Sequence, residues 1–516
     1  MKHLRKLLCM ILAVVMMSTV LSAMVFAEEK NIIDSGYCGA EGDGSNLKWT
    51  LDSEGTLTIS GTGVMKDYST EYVDYSYITT APWGSRSLNT LILDDGITYI
   101  GKYAFNGCFR FSFMGYLTIP NSVTSIGDSA FADCKGITGS LILPENIKSI
   151  GSNAFADCSG FTGDLIIPSG ITSIEYSTFF GCNGFTGKLV ISNSVTSIKG
   201  WAFYGCSGLT GNLIIPNNVK SIDDRAFYGC NGFTGDLVIP DNVVSIGEYA
   251  FSGCDRFMGT LKIGSNVKFI GTGAFSGCNG FTGNLIIPNS VTSIGSFAFC
   301  NCHNFSGELV ISNSVKDIGE YAFQNCHGIK GDLIIPDGVI SIGRGAFIGC
   351  ENLSKNVAIP DSVKTIGDSA FGYYNFNGKL SLGSGITSIG RGSFSCFKRI
   401  YFKGNAPAVY PASHVSNSFD TDASIYYIEG KSGWTSPIWN GYNTATWSGN
   451  EDRIPGDIND DGKVDIRDAI RLAKYLAKEN VEINLSNANI NGDDKVDVRD
   501  LIRLKKYLAK MPVDLI

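Results

Sequence analysis

Ten cysteines fall at a constant interval of 24 residues: Cys134, Cys158, Cys182, Cys206, Cys230, Cys254, Cys278, Cys302, Cys326 and Cys350. Cys108 precedes the series by 26. No other feature limits the fold so tightly. A residue type returning at a fixed interval means one structural unit copied end to end, with that residue in the same place in each copy. The whole unit is seen in "LIIPNNVKSIDDRAFYGCNGFTGD", Leu213 to Asp236, followed in phase by "LVIPDNVVSIGEYAF" from Leu237. The common pattern is L-x-I-P-x-x-V-x-x-I-x-x-x-A-F-x-x-C-x-x-F-x-G-x. Roughly a dozen copies run from about Leu91 to about Ile400, where "SFSCFKRIYFKG" ends the series.

Each copy reads physically. L-x-I alternates, so Leu213 and Ile215 face inward from a short strand that Pro216 ends. Ser192 and Gly264 stand at that stop in other copies. Val219 and Ile222 make a second inward edge. Ala226, Phe227 and Cys230 are spaced as on one tight helical turn, Phe233 fills the next inward position, and Gly235 makes a corner. One copy cannot bury this set alone, but stacked copies can. The expectation is a coil of parallel rungs with a continuous hydrogen-bonded ladder. A chain of 516 residues exceeds one ordinary compact core, but an array grows without that limit.

"IPxxVxxIGxxAFxxC" resembles the treponeme-type bacterial leucine-rich repeat of surface and secreted proteins, over about residues 90–400. "CGAEGDGSNLKWTLDSEGTLTISGTGVMKDY" resembles the β-rich segment that opens such arrays. "IYFKGNAPAV" through "YYIEGKSGWTSPIWNGYNTATW" resembles their closing segment. Both suit caps, which an array needs to cover its ends.

Two features of the array have alternative readings. The cysteine column is a set of small buried hydrophobes or a set of disulfides between rungs. Tyr374 interrupts it, and Cys38, Cys300 and Cys396 lie outside it. The outward residue of L-x-I gives the series Ile142, Ile166, Val190, Ile214, Val238, Lys262, Ile286, Val310 and Ile334. A long exposed apolar stripe marks an interaction surface for a protein or polysaccharide. β-propensity alone would place the same residue types there.

The chain starts with Lys2, Arg5 and Lys6, then the apolar "LLCMILAVVMMSTVL" and Val25-Phe26-Ala27, an export leader expected to be cleaved after Ala27. The apolar run is too short and wrongly flanked for a membrane anchor. Without a lipid-attachment cysteine or sorting motif, the mature chain is expected to be secreted, with no membrane insertion. A net charge of −8 and the lack of a long basic run argue against nucleic acid as a partner. No nucleophile motif, phosphate loop or cofactor fingerprint is present. His303 and His327 follow Cys302 and Cys326, a combination of zinc-ligand types, but repeat duplication produces such pairs readily. His414 has no evident partner.

The C-terminus departs from the repeat. "DINDDGKVDIRDAIRLAKYLAK" from Asp457 returns 32 residues later as "NINGDDKVDVRDLIRLKKYLAK" from Asn489. A twelve-residue calcium loop supplies oxygens at positions 1, 3, 5, 7, 9 and 12, with Gly at 6 for the turn. Asp457, Asn459, Asp461, Lys463 (through its carbonyl), Asp465 and Asp468 match, with Gly462 at the turn. Asn489, Asn491, Asp493, Lys495, Asp497 and Asp500 match in the second copy. There Asn489 removes a charge and Asp494 replaces the Gly, so the second Ca2+ site is expected to be weaker. Each loop leads into a helix, with Ile470, Leu472 and Leu476 read as the first helix's apolar face and no helix entering the loop.

Two such loop–helix copies resemble a type I dockerin, over about residues 454–513. The resemblance implies two Ca2+ ions and docking into a cohesin module of a scaffoldin protein, which attaches the carrier to a cellulosome. It also implies cohesin contacts at Ile466, Arg467, Ala473 and Lys474 and at Val498, Arg499, Lys505 and Lys506. The expected fold class is mainly β: a right-handed leucine-rich-repeat solenoid with β-rich caps, plus a small all-α calcium-binding dockerin domain. The expected order is leader 1–27, opening cap 28–90, solenoid 91–400, closing cap and linker 401–450, and dockerin 451–516. The expected function is a non-catalytic cellulosome component whose repeats bind a protein or polymer. The alternative is a carbohydrate-active hydrolase with its active site in a cap.

Overall fold

The computed structural model describes residues 31–509 apart from 74–75, 110–115, 354–355, 373–378, 414–416, 448–457, 459–463, 465, 480, 482, 484 and 491–494. The repeat region is a coil of parallel rungs whose residues pair at the 24-residue interval, Ser197 on Ser221 and Ile198 on Ile222. Its two strand edges differ. The L-x-I segments form short separate sheets: Leu165–Ile167 with Leu189–Ile191, Leu237–Val238 with Leu261–Lys262, and Leu285–Ile286 with Leu309–Val310. The long ladder lies on the second edge, where Ser173–Ile174 through Ser388–Ile389 make one ten-stranded parallel sheet. Proline explains the difference. Pro216 and its equivalents lack an N–H just where the first strand would continue. The second edge keeps its donors: Lys220 N–H reaches Thr196 O at 2.8 Å and Asp223 N–H reaches Ile198 O at 3.0 Å.

The A-F-x-x-C segment is not the helical turn its spacing suggests. Arg225 and Gly229 hold left-handed backbone, at φ 55° and 69°. That conformation stops a right-handed helix from propagating. The N–H groups at 225, 227 and 229 instead cross to Glu248, Ala250 and Ser252 of the next rung, each at 2.8 Å. Those at 226, 228 and 230 close local turns onto Asp223, Arg225 and Phe227. The segment is therefore a row of tight turns, hydrogen-bonded alternately within and between rungs.

This geometry stacks the core. Phe203, Phe227 and Phe251 lie nearly parallel at 5.2 and 5.3 Å, all fully buried. A second column, including Phe233 and Phe257, meets the first edge-on, with Phe227 and Phe233 6.3 Å apart at 73°. Burial of each ring contributes about 1.5–3 kcal/mol, and each ring pair about 0.5–1.5 more.

The cysteine column resolves as thiols. None of the fourteen described cysteines is in a disulfide. Each ladder thiol donates to the carbonyl of a phenylalanine 27 or 29 residues earlier, Cys230 Sγ to Phe203 O at 2.9 Å and Cys134 Sγ to Phe105 O at 3.0 Å. Burial raises them all: Cys134 and Cys350 to about 12, and Cys158, Cys206 and Cys230 well above the ordinary value. A thiol raised in the folded state keeps its full stabilising effect below its unfolded value, near 8.5–9, and loses it as pH rises beyond. Each such thiol then costs about 1.4 kcal/mol of stability per pH unit. The mature chain is expected to unfold steeply above about pH 9. Below that, iodoacetamide is expected to label only the half-buried Cys108 and Cys396 until denaturant is added. Rapid labelling of Cys230 in the folded chain would refute this account.

The ends of the array differ from its middle. At the start, Ile32–Tyr37, Leu47–Asp52 and Thr56–Gly61 form an antiparallel sheet whose last strand pairs in parallel with Thr90–Leu93. Trp83 is buried there, and its Nε1–H reaches Ala104 O at 2.9 Å. At the finish, Arg399–Phe402, Ser424–Ile428 and Tyr442–Trp447 pair successively in parallel, and Ile438–Trp439 folds back antiparallel on the last. No helix among the described residues is long and apolar enough to cross a membrane.

Candidate functional site

The C-terminal unit has a core of its own: Ile458, Ala469, Leu472, Ala488, Ile490 and Leu504. Its helices are Ile466–Leu476 and Val498–Leu508, with a single turn at Leu485–Ala488 entering the second loop. That turn is not foreseen in the sequence, where four residues carry too little periodicity to read.

Among the described residues the two copies share one buried bond pattern. Asp468 and Asp500, at the twelfth loop position, are both fully buried. Ile458 N–H reaches Asp468 Oδ1 at 2.8 Å, and Ile490 N–H reaches Asp500 Oδ1 at 2.7 Å. Asp500 Oδ2 also takes the Asp497 N–H at 2.8 Å, while Asp497 caps Val498–Leu508 through Arg499 N–H. The Arg499 side chain turns back on Asp497, Nη2 to Oδ2 2.7 Å, and this hydrogen bond holds the Asp497 carboxyl below the usual carboxylate range. Two buried carboxylates anchored by the second residue of each loop form the fixed end of an oxygen-rich donor set. Buried carboxylate charge requires compensation. Each loop's donor set fits a hard cation of its own, held by Asp468 in the first loop and by Asp500 in the second together with the other positions of that loop. Asn489, Lys495 and Asp497 are described. Asp457, Asn459, Asp461, Lys463, Asp465, Asn491 and Asp493 lie outside the described residues.

Among the residues expected to meet a cohesin, Ile466, Arg467, Lys474, Val498, Arg499, Lys505 and Lys506 are exposed and Ala473 is half-buried. Ile470 is not part of the inward face: Ala469, Leu472 and Leu476 turn inward, and Ile470 is half exposed. Ile470 sits four residues after Ile466, and Ile502 four after Val498, so each helix presents an exposed apolar pair. Sequence reasoning missed Ile470 and Ile502. The signal was the repetition of the pair in both copies.

The outward L-x-I stripe is exposed as expected, from 44% at Val310 to 72% at Ile214, with Ile142, Ile166, Val190, Val238, Ile286 and Ile334 between. Towards its C-terminal end it enters a shallow depression of about 620 Å3 lined by Ile334 and Ala358 and by Asp332, Asp337, Lys379 and Lys403. His303 and His327 stack at 5.1 Å, with His303 Nδ1 2.8 Å from Asn325 O. The Cys302 and Cys326 thiols are turned inward onto Phe275 O and Phe299 O, so the four residues do not converge. His414 lies outside the described residues.

Comparison with known proteins matches both parts. Residues 78–210, 210–330 and 331–407 match the BspA type leucine-rich repeat region, in six copies. Residues 455–509 match the dockerin type I domain. No curated protein matches the chain. Similar solved structures include a leucine-rich repeat protein from Bacteroides ovatus, 17% identical, TM-score 0.47, covering 74% of this chain and 98% of its own. A leucine-rich cell surface protein from Faecalibacterium prausnitzii is 22% identical, TM-score 0.41, covering 72% and 96%. A leucine-rich repeat protein from Eubacterium ventriosum is 23% identical, TM-score 0.38, covering 61% and 95%.

Proposed function

Because this chain belongs to the BspA-type leucine-rich repeat family and closes with a type I dockerin domain, we propose that it is a secreted, non-catalytic component of a cellulosome-type complex. The dockerin docks calcium-dependently into a scaffoldin cohesin, and the repeat array is the cargo it carries. The observation that carries this is the duplicated terminal unit, with Asp468 and Asp500 buried in the same bond pattern 32 residues apart. Ile466 with Ile470 and Val498 with Ile502 supply two equivalent apolar surfaces for the cohesin. Lys474, Lys505 and Lys506 lie on the same two helices. In the array, the exposed row from Ile142 to Ile334 is the surface for a protein or polymer partner.

Docking is tested with immobilised type I cohesin, using the mature chain and one ending at Gly449, each with calcium and with chelator. Capture of the longer chain alone, and only with calcium, is the expected result. Calcium-independent capture, or equal capture of both, would remove the dockerin from the explanation. The shorter chain is also expected to retain the array's partner from surface extracts. Glu at Ile214, Val238 and Ile286 together is expected to release it, and retention would exclude the stripe as the contact surface.

A further inference from the structure

A second exposed row runs beside the long ladder, one residue before each of its two-residue strands, with Asp317 directly after Lys316. Its occupants are Lys148, Thr172, Thr196, Lys220, Val244, Lys268, Thr292, Lys316, Ile340 and Lys364, all exposed. From residue 220 onward, lysine stands on every second rung. Backbone bonds hold this row straight: Lys220 N–H on Thr196 O and Lys268 N–H on Val244 O at 2.8 Å, and Lys316 N–H on Thr292 O at 2.9 Å. Adjacent strands are about 4.8 Å apart, so successive lysines repeat at about 9.6 Å. None of these lysines forms a salt bridge with a described residue.

Between Lys220 and Lys268 the surface sinks into a depression of about 480 Å3, lined by those two lysines with Val244, Asn242, Asn266 and Ser290, and by no carboxylate. Three of the nearby acids have hydrogen-bond donors of their own. Asp241 and Asp361 accept the Ser265 and Ser384 N–H groups at 2.7 and 2.6 Å, and Asp317 takes the Ser341 hydroxyl at 2.6 Å.

We propose that this row binds a linear acidic polysaccharide bearing one carboxylate per disaccharide. An extended disaccharide spans two rungs, so its carboxylates meet Lys220, Lys268, Lys316 and Lys364 in register. The intervening rings lie over Val244, Thr292 and Ile340, with hydroxyls within reach of Asn242 and Asn266. Other polyanions fit the spacing poorly. An extended peptide repeats its same-face side chains about every 6.7 Å, and duplex DNA carries a charge about every 1.7 Å of axis. The proposal depends on neither the dockerin nor the L-x-I stripe.

The test uses the mature chain with hyaluronate oligosaccharides, which carry a carboxylate on every second sugar. Cello-oligosaccharide and duplex DNA serve as comparators. Hyaluronate is expected to bind in a salt-sensitive way, and cello-oligosaccharide and DNA more weakly. The variant K220Q/K268Q/K316Q/K364Q is expected to lose at least about tenfold in affinity. The corresponding four Lys→Arg changes are expected to keep it. All four positions are exposed, so both variants should melt with the parent. Absence of hyaluronate binding, unchanged binding by a folded Gln variant, or DNA binding as tight as hyaluronate would overturn the proposal.

Discussion

Asp468→Ala in the mature chain is expected to weaken cohesin capture by at least about a thousandfold. Asp468 is fully buried and holds the Ile458 N–H. Alanine leaves that donor unpaired, at about 1–3 kcal/mol. It also removes the loop's twelfth-position carboxylate, where calcium takes a bidentate ligand. At a calcium concentration a thousand times its dissociation constant, one site contributes about 4 kcal/mol to the fold. A unit of this size has little stability beyond that. Both losses act on the surface that carries Ile466 and Ile470. Asp500→Ala is expected to be milder, because the second loop, with Asn489 and Asp494, is expected to contribute less calcium affinity. Helicity of the isolated unit and capture on a cohesin column, each titrated with calcium, measure both effects. Capture by Asp468→Ala within threefold of the parent would show that the buried carboxylate does not organise the loop.

In the array the largest expected effect is Phe227→Ala, a loss of about 3–5 kcal/mol. The ring has no exposed surface, lies between Phe203 and Phe251, and meets Phe233 edge-on. A globular core would spread that loss over the whole domain. An array couples each rung mainly to its neighbours, so one weakened rung interrupts the cooperative unit there. The expected signature is a split urea transition and a new proteolytic cut near residue 227, with the flanking halves still protected. A single transition shifted by less than about 1 kcal/mol would mean that the rung relaxes into the space left.

The repeat, the phenylalanine columns and the buried thiols were legible in the sequence because each rests on a period, and stacking turns a period into a column. The position of the long ladder was less legible, although Pro216 marks the edge that cannot carry it. The turns at Arg225 and Gly229 misled because A-F-x-x-C has helical spacing, and nothing about arginine announces left-handed backbone. In the terminal unit the ligand pattern is legible as chemistry. The exposure of Ile470 is not, because composition cannot say which of two apolar strips on a short helix packs inward.

The donors at 225, 227 and 229 all point to the following rung. On this edge the first rung therefore has carbonyls to spare and the last has amides to spare, the reverse of the second-edge ladder, where Lys220 N–H reaches back to Thr196 O. The opening segment answers with donors, Trp83 Nε1–H on Ala104 O and Thr79 N–H on Asn106 O. The closing segment answers with acceptors, Asn417 O and Ser418 O taking the Gly392 and Phe394 N–H groups. On that edge the two ends are chemical opposites. Length can vary by whole rungs between them, because on that edge the internal junctions repeat the same bonds.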